Sequence, residues 1–326
     1  MFKRPTVGVV VGFGSVGKKH AALLKTFCQH VYIYDEKIID TVEGEYIVFK
    51  DINLLCQELV IIDSSIHLHI CTWADSHLTL VKYFSDQKLS IVSMIVEKPL
   101  ANSLNSCLEI EKIALAGKIP LSVNFSRSGS NLAARIRDLF VLHNDELKWI
   151  NWDGFGQCIV TVGIHWLSLS NNILKALPVS CIYDLGFSKT NPRSPDLFFV
   201  HGSINYIYEG GVKLKMRSFQ AEEGSAGLVF HGARISIRLE RDCLVISNHR
   251  DEYIDSVPMF FNFEDGLRGL ICSNLNLKSN SIDLKTSAYL IAPTAHAFLN
   301  PGAKSFLFSD LEAASDLLAS YEVPVS

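Results

Sequence analysis

A doubly wound parallel α/β sheet, joined to an α+β unit built on a mostly antiparallel sheet, is the architecture this sequence predicts. Three observations carry it. Residues 7–20 read V-G-V-V-V-G-F-G-S-V-G-K-K-H: an apolar, strand-forming run ends in three glycines and passes into a helical pattern. Up to about residue 125, apolar runs alternate with amphipathic helical segments, as they do where parallel strands carry helices on both faces. From Val179 onward the apolar period drops to two, the mark of a half-buried antiparallel sheet. At 326 residues the chain has length for about two domains. The division expected is 1–125 and 126–326.

The glycine run has a physical reading. Gly12 lets the chain turn tightly out of the first strand, Gly14 lets backbone approach a pyrophosphate, and Gly17 lets the next helix pack close. The open N–H groups of that helix start face the phosphates. Gly12, Phe13, Gly14, Ser15, Val16 and Gly17 thus form a dinucleotide cradle. A second strand, 30–34, ends at Asp35, about 20 residues past the cradle, where a carboxylate accepts the hydroxyls of an adenosine ribose. Asp35 and Glu36 favour NAD, because a carboxylate repels the extra phosphate of NADP; Lys37 leaves room for NADP.

The remaining elements of the first half follow in order. Residues 46–49 form a short strand and 53–59 a short helix. The strand 66–72 ends in Trp73, Ala74, Asp75, Ser76 and His77, and a helix follows with Leu78, Leu80, Val81 and Phe84 on its buried side. The strand 89–96 runs into Glu97-Lys98-Pro99. Asn102 or Ser103 caps a helix over 103–115, which Gly117 ends, and 120–125 is the last strand of the unit. Ligands of such sheets bind beyond the carboxyl ends of the strands. The glycine turn, Thr72 to His77, Lys98 and Asn124 are therefore expected to converge.

The strings G-F-G-S-V-G-K-K-H, T-W-A-D-S-H and E-K-P-L-A, in this order and spacing, resemble the glucose-fructose oxidoreductase / inositol dehydrogenase / MocA family. The resemblance covers roughly the first 125 residues. It implies a Rossmann cofactor domain, with Lys98 beside the nicotinamide and the reacting carbon, and Glu97 and Pro99 fixing that lysine. The Lys98–Pro99 bond is cis in some relatives. The resemblance also places Thr72, Trp73 and His77 near the cofactor. Asn124 and Arg127 fall where relatives carry polar substrate residues.

Farther on, residues 154–166 are similar to a second signature of the family, a helix bearing D-x-G-x-H-x-x-D. Gly163 and His165 match, but Thr161 and Ser168 stand where acids are expected. Positions i and i+4 share a helix face, so the family's Asp and His project together toward the substrate; here the pair is Thr161 and His165. Thr161 can hydrogen-bond substrate but supplies no charge. The stretch between Phe125 and Gly154 is shorter than usual in the family. That implies a more open pocket, or one completed by another subunit.

The chemistry of two residues stands beside the resemblance. Hydride leaves a C–H bond more readily as the attached hydroxyl loses its proton. A lysine beside that oxygen stabilises its negative charge and relays the proton. His165 is the acid/base candidate near neutral pH. Lys98 and His165 are thus the catalytic candidates. The structural alternatives are a surface lysine after a strand and a core-facing histidine.

In the second half, Leu132, Ile136, Leu139 and Phe140 have helical spacing. Strands 203–208 and 212–219 flank Gly210-Gly211, a hairpin signal. Residues 233–239 and 243–247 alternate, with Arg234, Arg238 and Arg241 read as a solvated strand face. The resemblance makes this sheet the substrate domain's wall and a subunit interface, hence a homodimer or homotetramer. An amphipathic helix over 309–321, begun at Ser309 or Asp310, is expected to pack back on the first domain.

Composition excludes several classes. Thirty basic against 34 acidic residues, a net charge of −4, gives no electrostatic footprint for nucleic acid. The eight cysteines are scattered, without C-x-x-C or metal-ligand spacing, which fits core residues in a reducing cytoplasm and no metal. No apolar run is long enough to span a membrane, and Lys3-Arg4 precede the first strand rather than a signal peptide. The expected function is NAD(P)-dependent hydride transfer at a hydroxyl-bearing carbon of a sugar, cyclitol or nucleotide sugar. The alternatives are a non-catalytic dinucleotide-binding regulator and a reductase of another substrate class, such as an imine or a tetrapyrrole, on the same fold.

Overall fold

The computed structural model describes residues 6–37, 46–188, 198–220, 227–240, 243–259, 262–275, 281–311 and 318. The first half alternates as its sequence predicts: β1 (Thr6–Val11), α1 (Ser15–Leu24), β2 (His30–Tyr34), β3 (Ile47–Phe49), α2 (Ile52–Ile62), β4 (Ser65–Ile70), α3 (His77–Asp86), β5 (Ser90–Val96), α4 (Leu104–Ala116) and β6 (Leu121–Val123). Among the described residues these strands make one six-stranded sheet in the order β3-β2-β1-β4-β5-β6. Every pair is parallel. The strand order reverses between β1 and β4, and the crevice at that switch point is where such sheets bind ligands. Helices cover both faces, so the strands are apolar without alternation: Val7, Val9, Val10 and Val11 are all fully buried. Ser103 caps α4 by accepting from the Ser106 N–H, and Gly117 closes it. On α3 the buried residues are His77, Val81 and Phe84, while Leu78 and Leu80 are only half-buried.

The chain continues through α5 (Ser126–Gly129), α6 (Leu132–Leu142), β7 (Trp149–Phe155), a π turn (Ile159–Gly163) and α7 (Ile164–Leu174). Then come β8 (Pro178–Ser188), β9 (Phe199–Tyr208), β10 (Lys213–Phe219), β11 (Gly227–His231), β12 (Ile235–Leu239), β13 (Cys243–Asn248) and β14 (Tyr253–Pro258). Two helices, α8 (Phe263–Leu275) and α9 (Ser281–Leu299), and the short β15 (Ser305–Leu307) follow. The second sheet has nine described strands in the order β14-β13-β12-β11-β7-β10-β9-β8-β15. It is antiparallel except where β7 lies parallel to β10. The Gly210-Gly211 hairpin forms as its sequence predicts, with φ of +84° at both glycines. One face of the sheet is buried, through Leu214, Met216, Ile204 and Tyr206; the other carries exposed Lys213, Lys215 and Phe219. Arg234 and Arg238 are exposed, as expected of a solvated strand face; Arg241 lies outside the described residues.

The helix expected over 309–321 lies mostly outside the described residues. The segments that pack back on the first sheet are α8 and α9, which sequence periodicity does not announce. α9 contains Pro293 and buries Leu290, Ile291, Ala292 and Ala295 together, so it lacks a single apolar stripe. Polar side chains fix both helices. Asn274 of α8 donates to Ser93 Oγ at 2.9 Å and accepts from Ser122 Oγ at 2.6 Å. Ser287 of α9 accepts the Leu100 N–H at 2.9 Å.

Candidate active site

The glycine turn has the geometry of a phosphate cradle. Gly12 has φ +89°, a conformation other residues rarely adopt, and a Cβ at Gly17 would strike the Gly12 carbonyl oxygen. Around Gly14 a Cβ would meet nothing within 4 Å, so that side faces open space. No side chain caps α1, which leaves its first N–H groups, at Ser15 and Val16, for a ligand. Asp35 is aimed by backbone: its Oδ2 accepts the Phe13 N–H at 2.7 Å and its Oδ1 the Lys37 N–H at 2.8 Å. These features fit a dinucleotide.

At the end of β4, Thr72 Oγ1 accepts from Ser76 Oγ at 2.7 Å, and Trp73 is exposed. The resemblance places His77 near the cofactor; the structure sinks it into the core. Its Nδ1 lies 3.1 Å from the Leu100 carbonyl oxygen and its Nε2 3.0 Å from that of Thr72. Both ring nitrogens face backbone, so His77 braces the two loops that line the crevice rather than presenting a nitrogen to a ligand.

Glu97 and Asn124 likewise work from behind. Asn124 donates through Nδ2 to Glu97 Oε1, and the same nitrogen lies 3.1 Å from His20 Nε2. His20 Nε2 is 3.3 Å from Glu97 Oε1, and its Nδ1 is 2.9 Å from His69 Nδ1. Burial works against the Glu97 carboxylate, yet His20, Asn124 and the Lys98 charge together hold it below the usual carboxylate range. Asn124, a substrate candidate by sequence, therefore has its amide turned into this buried network. His20, Cys71 and Glu97 also bring ligand-capable atoms within 4.8 Å of one another, a grouping that cysteine spacing does not reveal.

Lys98 emerges from the far end of this network. The Lys98–Pro99 peptide is cis. Its Nζ donates to the Thr161 carbonyl oxygen at 3.0 Å. That carbonyl belongs to the π turn, whose wider i→i+5 spacing interrupts the α-helical ladder, as such turns often do at functional sites. The i, i+4 face expected for Thr161 and His165 is thus altered: Thr161 lies in the π turn and His165 in the first turn of α7. Thr161 meets Lys98 through its backbone, and its side chain is buried.

His165 is half-buried, with Nδ1 shut from solvent and without a hydrogen-bond partner among the described residues. Burial, followed by the charges of Lys98 and Arg127, pushes its pKa well below the ordinary histidine value. Across neutral pH this imidazole is therefore uncharged, and the same burial and charges oppose its protonation. Arg127, on α5, lies over the Trp166 ring with its guanidinium carbon 4.5 Å from the centroid. Ser168 is not the acid its position implies, but it donates to the buried Asp283 Oδ1 of α9 at 2.8 Å. Sequence reasoning missed Asp283 because it lies 115 residues away, on a helix without an amphipathic stripe.

No protein-family model and no curated protein matches the chain. Solved structures do match. An inositol dehydrogenase homologue from Azotobacter vinelandii, complexed with NADH and myo-inositol, aligns over 94% of this chain and 98% of its own at TM-score 0.71 and 14% identity. An oxidoreductase from Agrobacterium radiobacter, in complex with NAD+, L-tartaric acid and magnesium, aligns over 94% and 99% at TM-score 0.69 and 15% identity. The UDP-N-acetylglucosamine 3-dehydrogenase of Acidithiobacillus ferrooxidans aligns over 89% and 96% at TM-score 0.67 and 14% identity. The chain has, over nearly its whole length, the fold of the inositol dehydrogenase type of oxidoreductase.

Proposed function

We propose that this protein is an NAD-dependent oxidoreductase that moves a hydride between nicotinamide and a hydroxyl-bearing carbon of a sugar, cyclitol or related polyol. The observation that carries this reading is the meeting of Lys98 with the Thr161 carbonyl beside a neutral His165, at the strand ends that also bear the glycine cradle. Solved proteins of the same fold bind NAD+ with L-tartaric acid and NADH with myo-inositol, which supports the cofactor and the hydroxylated substrate class.

The cradle of Gly12, Gly14, Gly17 and the start of α1 would hold the pyrophosphate, with Asp35 at the ribose. A bound nicotinamide supplies the acceptor for the hydride. The Lys98 ammonium hydrogen-bonds the substrate oxygen and stabilises charge developing there. His165, neutral, takes the hydroxyl proton as the carbonyl forms. Glu97, Asn124 and His20 hold the loop from which Lys98 projects. NADP use requires room for a phosphate beside Asp35 and Glu36; two adjacent carboxylates favour NAD.

A second reading, a dinucleotide-binding regulator, draws on Thr161 and Ser168 standing at positions where the resemblance expects acids. One experiment separates the two: follow reduced-nicotinamide absorbance with NAD and a panel of polyols, sugar acids and nucleotide sugars. Turnover that Lys98→Ala abolishes while NAD binding survives supports the enzyme. Tight NAD binding without turnover on any substrate sinks it in favour of the regulator.

The open face of the second sheet supports self-association. It presents Trp149 stacked on His231 and Phe155 stacked on Phe219, aromatic pairs that a second copy would cover. The eight cysteines, none in a disulfide, support a reducing compartment such as the cytoplasm. No helix among the described residues is long and apolar enough to cross a membrane.

A further inference from the structure

Three side chains from three elements meet behind the cofactor crevice. His20 comes from α1, Cys71 from the residue after β4 and Glu97 from the residue after β5. One ligand-capable atom of each lies within 4.8 Å of the other two. His20 and Glu97 are buried, while Cys71 is half-buried at its strand end, which gives an ion a way in. A nitrogen, a sulfur and a carboxylate oxygen together form a donor set for zinc; magnesium and calcium take oxygen ligands. The measured spacing agrees. His20 Nε2 lies 3.3 Å from Glu97 Oε1. Bonds of about 2.0–2.1 Å from one ion to each atom, at a tetrahedral angle, set the two atoms about 3.3–3.4 Å apart.

The surroundings orient the histidine. His20 Nδ1 is 2.9 Å from His69 Nδ1, so one of these nitrogens donates to the other. With the proton on His20 Nδ1, the Nε2 lone pair points into the cluster. A metal-ligating histidine has this arrangement, its second nitrogen donating to a partner behind it. Asn124 stands at a fourth corner. Its Nδ2 lies 3.1 Å from His20 Nε2 and donates to Glu97 Oε1, while its buried Oδ1 has no hydrogen-bond partner among the described residues. The two ends of a carboxamide have nearly the same shape, so turning the group over puts Oδ1 where Nδ2 stands. Without an ion, the amide N–H groups separate His20 Nε2 from the carboxylate. With one, the amide oxygen is a fourth ligand.

We propose that His20 Nε2, Cys71 Sγ, Glu97 and the Asn124 amide oxygen form a site for one divalent cation of the zinc class. On binding, the thiol gives its proton to solvent and the sulfur electron pair makes the bond to the ion; nothing is oxidised or reduced. The ion ties α1 to the ends of β4 and β5, the elements that carry the glycine cradle, the Thr72 turn and Lys98. Cys71 itself abuts the cradle: a Cβ at Gly12 would lie 3.0 Å from the Cys71 carbonyl oxygen. The site is a brace beneath the cofactor. It goes beyond the hydride-transfer reading and does not depend on it.

The test loads the full-length protein, first stripped of metal by a chelator, with cobalt(II) and then with zinc. The expected result is one bound equivalent of cobalt, a thiolate-to-cobalt charge-transfer band in the near ultraviolet, and loss of that band when zinc displaces cobalt. Cys71→Ala and Cys71→Ser should remove the band and lower zinc affinity at least about tenfold, read by competition with a chromophoric chelator. His20→Ala should lower that affinity at least as much. Zinc should raise the melting temperature of the wild type and leave that of the Cys71 variants unchanged. The other cysteines are the internal control: a band that persists in both Cys71 variants belongs to an ion held elsewhere and overturns the proposal. Absence of the band in the wild type, or a zinc affinity unchanged in Cys71→Ser or in His20→Ala, overturns it as well. Cys71→Ser keeps the size of the side chain and carries the test if Cys71→Ala does not fold. None of these readings requires turnover, so loss of the site leaves the oxidoreductase reading standing, and a protein without turnover leaves the site standing.

Discussion

Lys98 Nζ donates to the carbonyl oxygen of Thr161 across 3.0 Å and 63 residues of sequence. The lysine leaves the end of a first-sheet strand, and the carbonyl belongs to the π turn that leads into α7 against the second sheet. The side chain marked for chemistry in one half is thus aimed by backbone in the other. Replacing Lys98 by Met should lower kcat by about 10²- to 10⁴-fold, the range for a positioned proton-transfer group. Nicotinamide affinity, measured by calorimetry, should stay within about twofold, because the cradle does not depend on this side chain. A variant that retains kcat would remove Lys98 from the reaction.

His165 should set an acid limb below its ordinary pKa. Burial, Lys98 and Arg127 all push that pKa down, so the base form persists as pH falls and kcat/KM stays flat through neutrality. Removing a cation in Arg127→Met should move the limb upward, toward about pH 6.5. A pH–rate profile of wild type and variant decides; a wild-type limb already at the ordinary value would contradict the geometry.

Acid should destabilise the first sheet through its buried imidazoles. Burial holds His67 down to about 4 and His69 well below its ordinary value. The unfolded chain takes up those protons near 6.5, so between these values it binds more protons than the native state. Stability is therefore full above about pH 6.5 and declines as pH falls toward 4, by up to about 1.4 kcal/mol per pH unit for each histidine. His67→Leu should lower the difference in melting temperature between pH 7.5 and pH 5; an unchanged difference would clear His67.

Gly17→Ala tests the cradle. Its Cβ would strike the Gly12 carbonyl oxygen, forcing α1 away from β1. The expected outcome is a loss of NAD affinity of at least about tenfold, with a stability loss of about 1–3 kcal/mol typical of overpacking. Equilibrium dialysis and urea unfolding read the two effects separately.

Asp283→Ala tests the polar seam between α7 and α9. The Asp283 carboxylate accepts from Ser168 Oγ and from Asn172 Nδ2, each at 2.8 Å. Its removal takes the charged acceptor from both donors, leaving Ser168 with Ser128 Oγ and Asn172 with the Ser168 carbonyl oxygen, at a cost of about 1–3 kcal/mol. Urea unfolding of the variant beside Asp283→Asn, which keeps the shape and one acceptor oxygen, measures it.

Much of the first half was legible because its signals are local. A parallel strand buried on both faces is an unbroken apolar run, and the tight turn after β1 demands a glycine at Gly12 whatever packs around it. The Gly210-Gly211 hairpin was readable for the same reason. α8 and α9 were not. A helix buried on most sides shows no stripe, and Pro293 interrupts what pattern there is. The π turn over Ile159–Gly163 was not legible either, because its wider spacing leaves no periodic mark in five residues.

The sequence by itself marked the candidates: the glycine turn and Asp35 by residue type and spacing, Lys98 and His165 by their resemblance to known signatures and by the chemistry of an ammonium and an imidazole. Only the tertiary structure decided what each can do. It turned Asn124 and His77 inward, where buried partners claim the Asn124 amide nitrogen and backbone carbonyls both ring nitrogens of His77. It buried the His165 ring, and that burial, with the charges of Lys98 and Arg127, keeps the imidazole neutral. It also set Asp283 behind Ser168, supplying a carboxylate where the local sequence has only a hydroxyl. Burial and charge at a point in space depend on every segment that meets there, and no stretch of chain carries that information alone.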